Sequence, residues 1–280
     1  MRPTIDQIRT AAYGRWERRG RVHGFDRADW NAAEKQQILF VNYRVLTADR
    51  LDSEAPRAIG DPSRRRCRFC RQATPRAEFS SRVRIIPDYL GPGSPVAFDQ
   101  CQECASHFSE TVDPGLAQFV RPFLVGSSST LPGAAGIAVD AYKGLVRLAL
   151  SVMPVSDLED HEDTVEWVSN PDHDFDLNVF RDLTCTVHVV PAAFPASWVA
   201  LAKLKDDREA WPSMLFFLGT SHVVFQILVP LGQRDSDHDG VPITVPDILP
   251  PSPFGPEHEP IARVMLPIVS TEAVREPTLR

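Results

Sequence analysis

Two cysteine pairs constrain this chain more than any other feature of its sequence. Cys67-Arg-Phe-Cys70 and Cys101-Gln-Glu-Cys104 are C-x-x-C motifs with residues 71–100 between them. Each motif puts two sulfurs on one tight turn, so the two motifs together can offer four thiolates to one tetrahedral ion. A redox site uses a single motif of this kind, whereas a pair of motifs favours a metal site. The sequence therefore predicts one structural Zn²⁺ held by these four cysteines, contributing roughly 10 kcal/mol to folding.

Apolar periodicity and turn residues divide the chain into three folded regions. We expect a helical hairpin over 1–45, a four-cysteine module over 64–125, called the cysteine module below, and an α+β domain over 137–280. Residues 46–63 and 126–136 show no period and are rich in Gly, Ser, Pro or Asp, which predicts linkers. The expected fold class is α+β, with a mainly antiparallel sheet in the C-terminal domain.

The N-terminal region has apolar residues at helical spacing, interrupted by a short glycine-containing turn. Asp26 is the expected N-cap of the second helix. Residues 8–34 resemble a short bacterial helical domain of unknown function, a resemblance that implies no chemistry. Tyr13, Trp16 and Trp30 are expected to form a small hydrophobic core, with a face for docking a partner as the alternative.

The C-terminal domain begins with an apolar stripe that predicts a helix over 139–152, ended by Pro154. Ser156 and Glu159 have the spacing of a capping box for a second helix. Runs rich in Val, Ile, Leu and Phe, bounded by turn residues, predict strands. These runs are 183–190, 213–218, 222–229 and 262–269.

The net charge of −7 is distributed unevenly along the chain. Residues 61–90 carry eight arginines and three acidic residues, whereas residues 151–280 carry 21 acidic and eight basic ones. The N-terminus is polar and lacks the apolar stretch of a signal peptide. The chain also lacks an apolar run long enough to predict a membrane span. We therefore expect a cytoplasmic protein with no membrane partner, which also suits cysteines that bind metal.

The cysteine module carries a second and more informative resemblance. Between the cysteine pairs lies V-R-I-I-P-D-Y-L-G (83–91), and A-S-H-F-S-E follows the second pair. This arrangement is similar to the HNH endonuclease superfamily, in the subgroup with two C-x-x-C zinc knuckles. The resemblance implies a ββα-metal fold, in which a β-hairpin and a helix clasp a metal ion. It also implies Mg²⁺ or Mn²⁺ as the catalytic ion if the chain is an active nuclease.

The departures from this family concern its chemistry. The position of the general-base histidine is occupied by Arg84, the asparagine after the second knuckle by Ala105, and the glycine of F-G by Ser109. An arginine stays protonated and cannot take a proton from the attacking water. The resemblance therefore implies a catalytically degenerate protein that serves as a nucleic-acid-binding or assembly component of a bacterial complex.

Two alternatives to this interpretation stay open. His107 and Glu110 lie three residues apart on a predicted helix and could rescue an active metal-dependent endonuclease. Otherwise the chain is a purely structural interaction module, with a protein partner or a second copy of itself.

The arginines of the module also have two interpretations. They could hold the backbone of DNA or RNA, or they could pair with the acidic C-terminal region, within the chain or across a dimer. The residues concerned are Arg64, Arg65, Arg66, Arg68, Arg71, Arg82 and Arg84. A weaker signal is Asp235–Asp239, which matches the first half of a calcium loop but has Pro246 at the twelfth position, so we expect a solvated acidic loop.

Overall fold

The computed structural model describes residues 1–63, 65–79, 83–124, 136–173, 175, 183–206, 210–230, 237–238, 241–255 and 258–270. The helices in these ranges are α1 (Ile5–Arg18), α2 (Asp26–Asn42), α3 (Gln102–Thr111), α4 (Asp113–Leu124), α5 (Val139–Val152), α6 (Val155–Leu158) and α7 (Glu162–Ser169). The strands are β1 (Tyr43–Arg50), β2 (Ala58–Ile59), β3 (Val83–Arg84), β4 (Val96–Ala97), β5 (Ile137–Ala138), β6 (Thr184–Val189), β7 (Trp198–Leu204), β8 (Met214–Thr220), β9 (Val223–Leu228), β10 (Asp237–His238), β11 (Val241–Pro242) and β12 (Ala262–Val269). The α+β class is confirmed.

The N-terminal region is the expected pair of helices. Helix α1 begins with a capping box, in which Thr4 and Gln7 each accept the other's backbone N–H through their side chains. Between the helices, Gly20 and Gly24 have φ angles of 78° and 92°, which favour glycine. The expected N-cap of α2 is wrong by one residue, because Phe25 occupies that position and Asp26 lies in the first turn.

A seven-stranded sheet forms the centre of the described chain, in the order β1-β7-β8-β9-β6-β12-β5. Adjacent strands in the sheet are antiparallel except for the short parallel pair β12–β5. This confirms the prediction of a mainly antiparallel sheet. Strands β8 and β9 form the expected hairpin, with a turn at Ser221 and His222. Apolar burial holds the sheet together, since Phe216, Phe217 and Phe225 are all fully buried.

Helices α4 and α5 cover one face of this sheet. The rings of Phe119 and Phe123 lie 5.2 and 5.1 Å from that of Phe225 on β9. The hydroxyl of Tyr142, on α5, donates to the carbonyl of Leu228 at 2.7 Å. The apolar stripe that predicts α5 is thus the stripe that packs on the sheet.

Two details of the sequence-based division differ from the structure. Strand β1 follows α2 directly and pairs with β7 at the edge of the sheet, so residues 43–50 belong neither to the hairpin nor to a linker. The helix expected from Ser156 is divided into α6, a 3-10 turn over Glu159–His161, and α7, and it begins after Pro154 rather than at Ser156. Pro154 is the N-cap of α6, and no side-chain hydrogen bond caps this helix.

A continuous set of buried apolar side chains joins the regions. It includes Leu39 of α2, Phe108 of α3, Leu148 of α5 and Phe217 of β8. The cysteine module is therefore packed against the helices and the sheet. None of the described helices combines the length and the apolar character that spanning a membrane requires.

Candidate metal centre

The four cysteines come together where a tight turn meets the start of a helix. Cys67 and Cys70 lie on the turn enclosed by the bridge between Arg66 and Ala73. Cys101 is the N-cap of α3, and its sulfur accepts the backbone N–H of Cys104 at 3.4 Å. The N–H groups at this helix start favour negative charge, which is the charge that thiolate ligands carry.

The geometry of the four sulfurs fits a metal ion. All four lie within 4.8 Å of one another. The Cys67–Cys104 and Cys70–Cys101 sulfurs are both 3.7 Å apart. A tetrahedron with Zn–S bonds of about 2.3 Å has edges of about 3.8 Å, whereas a disulfide bond is about 2.05 Å long. The cluster could therefore hold a metal such as zinc.

The pKa values of the cluster's cysteines also favour a bound cation. The hydrogen bond between the Cys67 and Cys104 sulfurs lowers the pKa of Cys67 to about 5 and raises the pKa of Cys104. Burial raises the pKa of Cys101 to about 12. Without a cation, one thiolate forms easily and its neighbours resist ionisation, because like charges repel in a buried site. A divalent ion removes this repulsion.

Arg68 connects the metal centre to the C-terminal domain. Its guanidinium is buried, makes two hydrogen bonds to Asp99 at 3.0 and 2.8 Å, and donates to the carbonyls of Leu150, Ser151 and Met153 at the end of α5. The prediction that Arg68 contacts a nucleic acid is therefore wrong, because its donors are already engaged inside the protein.

The other arginines of the predicted basic surface have mixed surroundings. Arg65 and Arg66 are exposed, and Arg66 donates to the carbonyl of Arg71 at 3.0 Å. Arg71 forms an ion pair with Glu162, at the start of α7. This pair matches the alternative in which the arginines meet the acidic C-terminal region within the chain. Arg64 and Arg82 lie outside the described residues.

The position of Arg84 bears directly on the resemblance to HNH nucleases. Strand β3 carries Arg84 and pairs antiparallel with β4, and α3 follows, which gives the strand–strand–helix order of a ββα motif. The Arg84 guanidinium is half-exposed and bonds to Asp88 at 2.6 Å. At the position that the resemblance assigns to a general base, this chain thus has a cation paired with a carboxylate.

His107 and Glu110 are not brought together with Arg84. His107 lines an open cavity of about 540 Å³ beside Cys70, together with Glu103 and Glu162, and Arg84 does not line it. The hydroxyl of Thr111 lies 3.4 Å from Nε2 of His107. Glu110 is exposed on α3, and within the described part of the chain it makes no hydrogen bond or ion pair with His107.

Sequence reasoning missed Arg147, a second buried arginine of this region. Arg147 lies on α5 and donates to the carbonyl of Ile85, while its guanidinium carbon is 5.1 Å from the centre of the Phe108 ring. Its partner Asp113, at 3.4 Å, begins α4. The signal was present, because a single arginine interrupts the apolar stripe of α5.

Most of the acidic loop Asp235–Asp239 lies outside the described residues, so the prediction that this loop is solvated stays a prediction. Of this loop, only the backbone of Asp237 and His238 is described, where it pairs with Val241 and Pro242.

Comparison with known proteins gives one match, at the N-terminus. A family model described as "Protein of unknown function (DUF2934)" matches residues 4–36. This match covers α1 and the first part of α2, and agrees with the resemblance of residues 8–34 to a helical domain of unknown function. No curated protein and no solved structure matches the chain. The resemblance to HNH nucleases and a role in nucleic-acid binding thus gain no support from related proteins.

Proposed function

We propose that the chain is a zinc-stabilised, non-catalytic binding protein with an HNH-like frame, acting in the cytoplasm as an assembly component of a bacterial complex. The observation that carries this proposal is the ion pair between Arg84 and Asp88 in the place of a general base. A guanidinium cannot accept a proton from water at any physiological pH. Losing a general base alone typically lowers the rate about 10²–10⁴-fold.

The donor set of the cysteine cluster supports a structural rather than a catalytic zinc. Four cysteine sulfurs complete a tetrahedral coordination shell, which leaves no position for water or substrate. Three of the four cysteines are buried, and only Cys70 is exposed. The zinc would hold the turn at Cys67 against the start of α3.

The pairing of the arginines favours an assembly role over nucleic-acid binding. Phosphate contacts need cationic side chains free to exchange counterions with the nucleic acid. Arg68 is buried, and the charges of Arg71 and Arg84 are balanced by Glu162 and Asp88. A protein partner, or a second copy of the chain, can use such a mixed surface of paired charges.

The test separates the two kinds of partner. Fluorescence anisotropy with short labelled DNA and RNA, at low and moderate salt, measures nucleic-acid binding. We expect no binding that weakens steeply with salt, and a stable protein complex in pull-downs from the source cells. Tight, salt-sensitive binding that Arg65→Gln and Arg66→Gln weaken would contradict the assembly role and establish the nucleic-acid alternative.

An active endonuclease is the second candidate, and the position of His107 supports it. His107 lines the open cavity beside Cys70 with three glutamates, Glu103, Glu162 and Glu166, so an imidazole and carboxylates share one cavity. Plasmid incubated with Mg²⁺ or Mn²⁺ tests this directly. We expect the plasmid to stay intact at high protein concentration. Cleavage that His107→Ala abolishes, and that Ser109→Ala on the same helix but outside the cavity does not, would overturn the non-catalytic proposal.

A further inference from the structure

The helical hairpin carries an open aromatic pocket that the cysteine module does not involve. Its walls are Tyr13 and Trp16 of α1, His23 of the turn and Trp30 of α2, called the aromatic pocket below. The cavity has a volume of about 360 Å³. This corrects the expectation of a closed core, because Tyr13 is 55% exposed and both tryptophans are only partly buried.

Neighbouring rings of the pocket are tilted against each other rather than stacked. The centres of the Tyr13 and Trp16 rings are 5.4 Å apart with an interplanar angle of 44°. Those of Trp16 and His23 are 5.6 Å apart at 50°. Aromatic faces carry the negative part of the ring quadrupole and attract cations. Several faces around one small cavity are typical of sites that bind ammonium or guanidinium groups.

The charges beside the pocket leave one carboxylate available. Arg9, which lines the cavity, is paired with Asp6 at 2.6 Å. Asp29 is buried and paired with Arg19. Asp26 also lines the cavity, is exposed, and has no hydrogen bond or ion pair with any described residue. The pocket therefore combines aromatic faces with one unpaired negative charge.

The same region already places cations of this chain on aromatic rings. The guanidinium carbon of Arg21 lies 5.8 Å from the centre of the Trp16 ring. That of Arg19 lies 4.6 Å from the centre of the Phe25 ring. Both contacts are at the surface, where a cation keeps part of its hydration and still gains from the ring. The local chemistry thus suits a cationic side chain.

We propose that the aromatic pocket binds a cationic side chain, an arginine or a methylated lysine, presented by a protein partner. The cation would lie between the faces of Trp16 and Trp30, with its charge near the carboxylate of Asp26. The proposal rests on residues of the hairpin alone, so it stands or fails independently of zinc binding and of nuclease chemistry.

The experiment uses the full chain labelled with 5-fluorotryptophan, whose five signals are assigned by single Trp→Phe variants. The first probes are choline and its uncharged carbon isostere, 3,3-dimethylbutan-1-ol. We expect choline to shift the ¹⁹F signals of Trp16 and Trp30 along a saturating curve. The neutral isostere should bind about fivefold to tenfold more weakly, because only the cation is attracted by the rings and by Asp26.

Short peptides that differ only in one residue distinguish the two sources of the cation. Peptides with arginine or trimethyllysine should bind, and the matched peptide with uncharged citrulline should not. Tyr13→Ala and Asp26→Asn should each weaken binding about threefold or more, while Asp172→Asn, another exposed aspartate, should leave it unchanged. Equal binding of choline and its isostere, or shifts of Trp211 as large as those of Trp16, would overturn the proposal.

Discussion

The cysteine module and the seven-stranded sheet are held together by different means. Strands β2, β3 and β4 of the module are two residues long, whereas the central strands β7 and β8 of the sheet have seven residues each. Every residue of β8 is buried, most of them apolar, so hydrophobic burial can stabilise the sheet by itself. Strands as short as those of the module cannot form a stable sheet alone.

This difference indicates that the four cysteines stabilise the module. They join the turn at Cys67 to the start of α3, which fixes the ends of a segment that has little regular structure. Arg68, which is held by its buried ion pair with Asp99 inside the module, then attaches the module to the end of α5 by donating to backbone carbonyls there. The metal, the Arg68 contacts and the apolar contacts therefore each stabilise the module, and each can be removed by a separate change.

Loss of the metal should have the largest effect, and it should be local. We expect a strong chelator, or Cys101→Ser, to accelerate amide hydrogen exchange in residues 83–104 by several orders of magnitude, because structural zinc contributes roughly 10 kcal/mol. Amides of β7, β8 and β9 should stay protected. Cys185→Ser changes the buried cysteine of β6, outside the cluster, and is the matched control: its module should keep its protection. Equal loss of amide protection in module and sheet on chelation would show that the two regions do not differ in their dependence on the metal.

Removal of Arg68, which connects the module to the end of α5, should have the next largest effect. Arg68→Met leaves Asp99 buried without a partner, and we expect a loss of about 3–5 kcal/mol in the free energy of unfolding. Urea denaturation of the zinc-loaded protein measures this. The exposed Arg65→Met is the control and should change stability by less than about 0.5 kcal/mol. If Arg68→Met is as stable as this control, Arg68 does not hold the module to α5.

A pH-dependent contribution to stability should come from a buried histidine of the sheet. Burial lowers the pKa of His188 from 6.5 to about 4, and its Nε2 lies 2.7 Å from Oε1 of Gln226. Between these two values the unfolded chain binds the proton and the folded one does not, so stability falls as the pH falls from 6.5 to 4. The full loss is about 3 kcal/mol.

His188→Gln should remove this part of the pH dependence. The measurement is the unfolding free energy of the wild type minus that of the variant, at pH 7 and at pH 4.5. Because every other titrating group is common to both proteins, this difference isolates His188. A difference that does not change with pH would mean that His188 is already charged, or accessible to water, in the folded protein.

Removal of Arg84 should have the smallest effect. Its ion pair with Asp88 is exposed on both sides, and the median contribution of exposed ion pairs is about 0–1 kcal/mol. We expect Arg84→Ala to unfold within about 0.5 kcal/mol of the wild type and to keep its zinc. A loss comparable with that of Arg68→Met would assign Arg84 a structural role that its exposure does not suggest.

Local signals explain the parts of the fold that the sequence predicts. The spacing of the cysteines, the apolar stripe of α5 and the hairpin of β8 and β9 each depend on neighbours close in the chain. Strand β1 was missed because its sequence, YRVLTADR, alternates polar and apolar residues only weakly. Its partner β7 comes about 150 residues later in the chain. No local pattern specifies a pairing of that kind.

The arginines show why charge counts mislead about a site. In the sequence, Arg68, Arg71 and Arg84 are equivalent members of one basic cluster. In the fold, the first is buried in an ion pair, the second pairs with Glu162 from α7, and the third pairs with Asp88 four residues away. Of these three pairings only the last is within reach of sequence reasoning, because its spacing is local.

Native mass spectrometry of the full chain, purified without added metal, tests the central claim most directly. We predict one zinc ion per chain, absent from Cys101→Ser and retained in Cys185→Ser. A chain that carries no metal, yet protects the amides of the cysteine module as well as those of the sheet, would contradict the account.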